Sequence, residues 1–224
     1  MRDAMALRLY DYASSGNCYK VRLLLSHLGL PYERVPVDIF AGDTMSEEHA
    51  ARNLALTTPV LELEPGRYLP ESAAILLHLA EGTDLLPDDR DERALVYRWL
   101  FFEQSAVLPT IAMLRFRVLT GRASLDDPAE RTSLNMSRAV AGVVEAHLSE
   151  RQYFVAERFT LADVALFGYM HVAHDAGVDT ASMPSLQAWL ERVRSQPRHV
   201  EDLAPYPENA RPGASRSIYD AFGA

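Results

Sequence analysis

At 224 residues, 48% hydrophobic and 24% charged, the chain has the length of one large or two small globular domains and enough apolar side chains for a sizeable core. Its net charge of -9 comes without a dense Lys/Arg cluster, which argues against a nucleic-acid partner. No apolar run approaches the roughly 20 residues of a membrane span, Met1-Arg2-Asp3 begins no signal-peptide pattern, and the single cysteine, Cys18, excludes an intrachain disulfide and points to a reducing cytoplasm.

Leu7 to Tyr12 alternates like a strand. Asn17 to Leu28 has helical spacing and stops at Gly29, ahead of Pro31, as a C-terminal glycine would stop it. Tyr32 to Asp38 alternates again, so a strand–helix–strand unit of about 30 residues predicts a parallel pair with a crossover. Ile39 to Leu56 is polar and irregular, with one short helix around Glu47 to Arg52. Pro59 to Leu63 and Arg67 to Leu69 flank the turn Glu64-Pro65-Gly66 and predict a hairpin. Ser72 to Ala80 then forms a helix with Ile75, Leu76 and Leu79 on one face.

The character changes at the acidic, proline-bearing stretch Leu86-Pro87-Asp88-Asp89-Arg90. Beyond it only helical periods appear, over Arg93 to Leu119, Arg131 to Leu148, Leu161 to Ala176 and Leu186 to Ser195. The segment from Pro205 carries Pro207, Pro212 and Gly213 and is expected to wrap the surface. The order is a βαβ–ββα half followed by an all-helical half, with no internal repeat.

Ser15-Gly16-Asn17-Cys18 carries the chemistry. It joins an apolar strand to a helix, and a strand, a tight turn and a helix N-terminus gather unpaired amides that attract an anion. A thioredoxin-like redox site has two cysteines at this spacing. Here Ser15 stands in the first place and only Cys18 remains, so no disulfide forms, but the Ser15 hydroxyl can donate a hydrogen bond to a thiolate brought by a ligand. The plain structural alternative is that Ser15 only caps the helix.

Four pieces in this order resemble the cytosolic glutathione transferases along nearly the whole chain. They are Leu9-Tyr10 leading to Ser15-Gly16-Asn17-Cys18-Tyr19-Lys20-Val21-Arg22, then Thr58-Pro59-Val60-Leu61, Glu71-Ser72-Ala73-Ala74-Ile75, and Phe159-Thr160-Leu161-Ala162-Asp163. The likeness is to bacterial serine-type members akin to the theta and zeta classes. It implies a thioredoxin-like glutathione-binding domain over residues 1–83, a linker at 84–89, and a helical domain over 90–224 that lines the electrophile site. It also implies a homodimer and conjugation of glutathione, as co-substrate, to small apolar electrophiles.

The resemblance assigns Ser15 the catalytic hydroxyl beside the glutathione sulfur, with Asn17 as a further donor. A free thiol of pKa about 8.5 is ionised to only a few per cent at neutral pH, so a donor and a helix N-terminus that favour the thiolate raise its reactivity. Pro59 resembles the family's cis-proline, which exposes the backbone of Thr58 to pair with the cysteinyl unit like an added strand. Glu71 takes the γ-glutamyl ammonium, and Ser72 with the helix amides takes its carboxylate. His49 and Arg52 are nearby cations for the glycyl carboxylate, between which the sequence does not choose.

Cys18, by the same pattern, points into the core as a small hydrophobe. Thr160 to Asp163 reads as a capping box with Asp for the usual Glu or Gln, a structural feature rather than a catalytic one. Tyr12, Phe102 and Arg115 are the electrophile-site candidates, although an aromatic stripe at helical spacing also suits a core. The seven histidines show no metal-ligand spacing, and no metal is expected. Other readings stay open: a glutathione-dependent peroxidase, disulfide reductase, dehalogenase or isomerase of the same fold, a non-catalytic glutathione-binding ligand carrier, or a protein that keeps the fold only.

Overall fold

Residues 7–214 are described by a computed structural model. They form two units: the first takes residues up to Leu79 and again from Val200, and the second is Ala80–His199.

In the first unit, β1 (Leu7–Asp11) lies between two partners in the sheet order β2-β1-β3-β4. β2 (Tyr32–Pro36) pairs with it in parallel, Leu9 opposite Arg34. β3 (Val60–Glu64) runs antiparallel, Leu9 opposite Leu61. β4 (Arg67–Pro70) returns along β3 after a turn in which Gly66 has φ 78°, the left-handed region that glycine enters without steric cost. The parallel pair needs a crossover, supplied by α1 (Gly16–Leu28). That helix ends as its sequence predicts: Gly29 has φ 65° and the Leu30 N–H returns to the Leu25 carbonyl at 3.0 Å.

One face of the sheet packs Leu9 and Leu61 against Val21 and Leu25 of α1 and Ile75 of α3 (Ser72–Ala80), all fully buried. Burying a side chain of this size contributes about 1.5–3 kcal/mol, which makes this layer the platform for everything on the loops above it. The other face gathers Tyr10, Val37 and Val60. The short helix α2 (Glu47–Arg52) starts at Ser46, whose hydroxyl accepts from the His49 N–H at 3.1 Å.

The segment from Val200 belongs to this unit because polar side chains tie it there. Tyr19 Oη donates to the Val200 carbonyl (2.7 Å), Ser14 Oγ to the Pro205 carbonyl (2.7 Å) and Asn209 Nδ2 to Asp38 (2.8 Å). The helical half therefore does not extend to the C-terminal end of the described residues, as the expected range 90–224 had it; residues 215–224 lie outside the description.

The second unit is helical. Asp89 caps α4 (Arg90–Phe102), its Oδ1 accepting from the Asp91 and Glu92 amides at 3.0 and 2.9 Å. The expected single helix from Arg93 to Leu119 is continuous but not uniform. Its middle, Glu103–Ala112, is π-helical and contains Pro109, which has no N–H to give, before α5 (Met113–Leu119) resumes. α6 (Arg131–Leu148) presents Ala141, Val144 and Leu148 to the core as its spacing predicts. α7 (Leu161–Met170) is buried along its whole length, and the expected helix to Ala176 gives way to a 3-10 turn over Ala173–Ala176. α8 (Pro184–Arg194) closes the unit. The expected linker, residues 84–89, is held inside it: the Leu161 N–H donates to the Leu85 carbonyl (2.8 Å) and the Arg158 guanidinium to that of Asp84.

The core of this unit is aromatic. Trp99 meets the His147 and Phe154 rings edge-on at 4.7 Å each, and Phe154 meets Trp189 at 5.2 Å. Asp163, fully buried, satisfies four donors around it: Thr160 N–H (2.8 Å), Thr160 Oγ1–H (3.0 Å), Phe154 N–H (3.3 Å) and Trp189 Nε1–H (2.9 Å). The sequence's capping box is thus present and serves the core as well as the helix start. Among the described residues no helix is long and apolar enough to cross a membrane.

Candidate active site

The loop Tyr12–Ser15 connects the end of β1 to the start of α1. Ser15 has extended backbone (φ -82°, ψ 122°), and its Oγ accepts from the Cys18 N–H at 3.3 Å. The capping reading of Ser15 is therefore correct as far as it goes. A hydroxyl carries one donor besides its acceptor sites, so a cap that uses the oxygen leaves the O–H to be given elsewhere. Capping and donation to an anion at the helix start are compatible.

Cys18 is free and fully buried. Burial pushes its thiol up to about 12, with the Asp11 carboxylate adding to the rise and the Thr58 and Ser15 hydroxyls opposing it. Its sulfur accepts from the Tyr12 N–H at 3.4 Å. It stays a neutral thiol, and any thiolate at this point must come from outside the chain.

Thr58 is brought to the same place, through a cis Thr58-Pro59 peptide bond at the entry to β3. The residue before it is pinned by side chains: Asn53 Nδ2 donates to the Thr57 carbonyl and to its hydroxyl, both at 3.0 Å, and His49 Nε2 lies 3.1 Å from that carbonyl. The backbone N–H and C=O of Thr58 itself carry no hydrogen bond among the described residues, which leaves both for an added strand. His49, one of the two basic residues near this loop, is engaged with the Thr57 carbonyl. Arg52, the other, lies over the Tyr10 ring at 4.3 Å and pairs with Glu48.

Glu71 is exposed and has φ 73°, a backbone region costing a residue with a side chain about 1–2 kcal/mol. It marks the entry to α3, where the Ile75 N–H returns to the Glu71 carbonyl at 2.9 Å. Ser72 follows, buried, its Oγ 3.5 Å from Oδ1 of Asn17 in the first turn of α1. The contact couples the N-terminal ends of two helices, so two sets of orphan amides face one region beside an exposed carboxylate.

Ser15, Asn17, Thr58, Pro59, Glu71 and Ser72, spread over 58 residues of sequence, thus gather at one end of the sheet in the first unit. The electrophile-site candidates are placed differently. Tyr12 is buried with its ring edge-on to Phe40 at 5.8 Å and 6.4 Å from Tyr206. Phe102, in the second unit, is half-buried against Trp99 at 5.3 Å. Arg115 is buried in that unit, its Nε donating to Asp175 at 2.9 Å. Among the described residues no group of three or more His, Cys, Asp or Glu side chains is placed to hold a metal ion.

Sequence reasoning passed over Asp11, Arg22, Asn53 and Asp202. Their contacts range from the four-residue step between Asn53 and Thr57 to the 180 residues between Arg22 and Asp202.

Family models for the glutathione S-transferase N-terminal and C-terminal domains match residues 9–85 and 107–197. Glutathione S-transferase 3 of Zea mays is 31% identical over 221 residues, covering 93% of this chain and 98% of its own length. A maleylacetoacetate isomerase of Rhizobium meliloti is 32% identical, covering 80% and 87%. The crystal structure of a glutathione S-transferase from Pseudomonas fluorescens superposes with a TM-score of 0.85 at 43% identity, covering 88% of this chain and 99% of that one.

Proposed function

The chain belongs to the glutathione S-transferase family, and on that premise we propose that it conjugates the thiolate of glutathione to small apolar electrophiles with Ser15 as the hydrogen-bond donor to the sulfur. The observation that carries this reading is the Ser15 hydroxyl at the start of α1, its oxygen accepting from the Cys18 N–H, since a hydroxyl also has one proton it can donate.

Thr58 aligns the cysteinyl unit by backbone pairing. Ser72, Asn17 and the first amides of α3 receive the γ-glutamyl carboxylate, and Glu71 receives its ammonium. With the tripeptide held, the Ser15 O–H and the α1 N-terminus favour the charged sulfur. The thiolate pair then forms the carbon–sulfur bond. In a substitution the leaving group departs with its bonding electrons; in an addition the adjacent carbon takes a proton. The protein supplies proximity and a stabilised nucleophile. Tyr12 serves as an electrophile wall on the first unit; in the second unit, Arg115 is engaged by Asp175. The working form is a homodimer in a reducing cytoplasm.

The test is a titration of thiolate absorbance on bound glutathione. The bound thiol should titrate below the free value of about 8.5. Ser15→Ala should raise that pKa and lower turnover of an activated aryl chloride more than it weakens glutathione binding. Unchanged turnover in Ser15→Ala removes Ser15 from the chemistry. Turnover of a hydroperoxide or a mixed disulfide in place of the aryl chloride assigns a different glutathione reaction.

A further inference from the structure

We propose that the returning segment Val200–Pro205 is a strap that sets the position of the Tyr12–Ser15 loop, with Arg22 and Asp202 as positioning residues for the Ser15 hydroxyl. The proposal rests on the reading of Ser15 given above.

The four-residue loop is held from three sides. Within itself, the Ser15 N–H donates to the Tyr12 carbonyl at 3.0 Å. From α1, Arg22 Nη2 donates to the Ala13 carbonyl at 3.2 Å. From the strap, the Ala204 N–H donates to the same Ala13 carbonyl at 3.1 Å, and the Pro205 carbonyl accepts from Ser14 Oγ at 2.7 Å. Both acceptor sites of Ala13, two residues before Ser15, are filled: one by Arg22 and one by the strap.

Arg22 connects the two. Its side chain is fully buried; Nε reaches both carboxylate oxygens of Asp202 (2.9 and 3.0 Å), Nη2 the Asp202 carbonyl (3.2 Å), and Nη1 the fully buried Asp11 (2.5 Å). Arg34 completes the set, paired with Asp11 and 3.9 Å from Asp202. Two guanidinium groups face two carboxylates, so the cluster is neutral as a whole.

Stability alone does not account for such a cluster. Arg22 and Asp11 are fully buried while Arg34 and Asp202 are part exposed, and neither a buried pair nor a part-exposed one returns much net energy over apolar packing of the same volume. What they supply is direction: a planar guanidinium with fixed donors holds the Ala13 carbonyl and the strap backbone in one geometry. A hydroxyl that must point at a sulfur needs that accuracy, because a displacement of about 1 Å can cost about a hundredfold in rate.

The sign of one pKa separates positioning from plain charge. Asp202→Asn removes a negative charge near the loop. Through electrostatics alone this favours the thiolate and lowers the pKa of bound glutathione. Through loss of positioning, the Ser15 hydroxyl donates less well and the pKa rises.

The experiment titrates bound glutathione on wild type, Asp202→Asn, Asp202→Glu and Ser14→Ala, with thermal unfolding of each. Asp202→Asn is expected to raise the thiol pKa by about half a unit or more, a fall of about threefold in turnover of an activated aryl chloride at pH 6. The KM for glutathione should stay within about twofold, because the tripeptide anchors are untouched. Asp202→Glu keeps the ion pair and the wild-type pKa. Ser14→Ala cuts the second tie to the strap and shifts the pKa upward as well, which keeps the test alive if Asp202→Asn does not fold. A pKa that is unchanged or lowered in Asp202→Asn and Ser14→Ala, with wild type lowering it normally, overturns the strap alone. A wild-type protein that does not lower the thiol pKa overturns the Ser15 reading and the strap with it.

Discussion

Trp189 donates its indole N–H to Asp163 at 2.9 Å, joining α8 to the first turn of α7 through a carboxylate that is fully buried. The same carboxylate takes three further hydrogen bonds, from Thr160 and Phe154. Asp163→Asn puts an NH₂ group against one pair of these donors and should cost about 3 kcal/mol by urea unfolding at pH 7. Burial raises the Asp163 carboxyl to about 6 from its ordinary 3.8. The folded state then binds more protons than the unfolded state between those two values, so Asp163's contribution to stability falls as pH rises from about 4 to 6. The cost of Asp163→Asn should accordingly be larger at pH 4.5 than at pH 7; an equal or smaller cost at pH 4.5 contradicts the raised value.

Capping and catalysis at Ser15 separate by substitution. Ser15→Ala loses the cap on α1, worth about 1 kcal/mol. Ser15→Asp keeps a capping oxygen and should restore that stability, yet it has no proton to give and sets a negative charge beside the sulfur. Thermal unfolding should rank Asp near wild type and above Ala, while turnover ranks both far below wild type. An active Ser15→Asp would show that the cap was all that mattered.

Glu71 holds a left-handed backbone that costs it stability. Glu71→Gly should stabilise the free protein by about 1 kcal/mol or less, the relief of strain being offset in part by glycine's entropy. Glutathione affinity should fall about tenfold or more with the loss of a charge-assisted contact to its ammonium. Ser72→Ala should weaken binding in the same way, and neither variant should shift the pKa of the bound thiol. Calorimetric titration with glutathione decides both; wild-type affinity in the two variants would misplace this anchor.

Cys18 should be silent. Its thiol is fully buried and pushed up to about 12, so a thiol reagent at pH 8 should label the native protein slowly and the denatured protein fully. Cys18→Ala should cost on the order of 1 kcal/mol of packing and keep conjugation. Loss of all turnover with an intact fold would instead favour a redox role for this residue.

Light scattering at micromolar concentration should return twice the 25.0 kDa mass of one chain. Two-fold pairing is the commonest soluble assembly. The exposed Leu54 and Phe101, 93% and 71% accessible, are apolar surface that a second copy would cover. A mass near that of one chain rejects the dimer.

By itself the amino-acid order determined what is local. Alternation placed β1 and the hairpin, apolar spacing placed α1, α3 and α6, Gly29 ended α1 where its freedom at positive φ is needed, and Ser15 and Ser72 stood out as helix starts. These signals are legible because the period of a strand or helix and the chemistry of a cap are written in neighbouring residues. The tertiary structure alone decided the rest. It widened the long helix around Pro109, brought Asn17 to Ser72, used His49 and Asn53 to hold the residue before Thr58, and engaged Arg115 with Asp175. It also carried the segment from Val200 back to the first unit, where Asp202 meets Arg22. A buried guanidinium takes whichever carboxylate the packed chain delivers, and at a separation of 180 residues no periodicity or spacing connects the two.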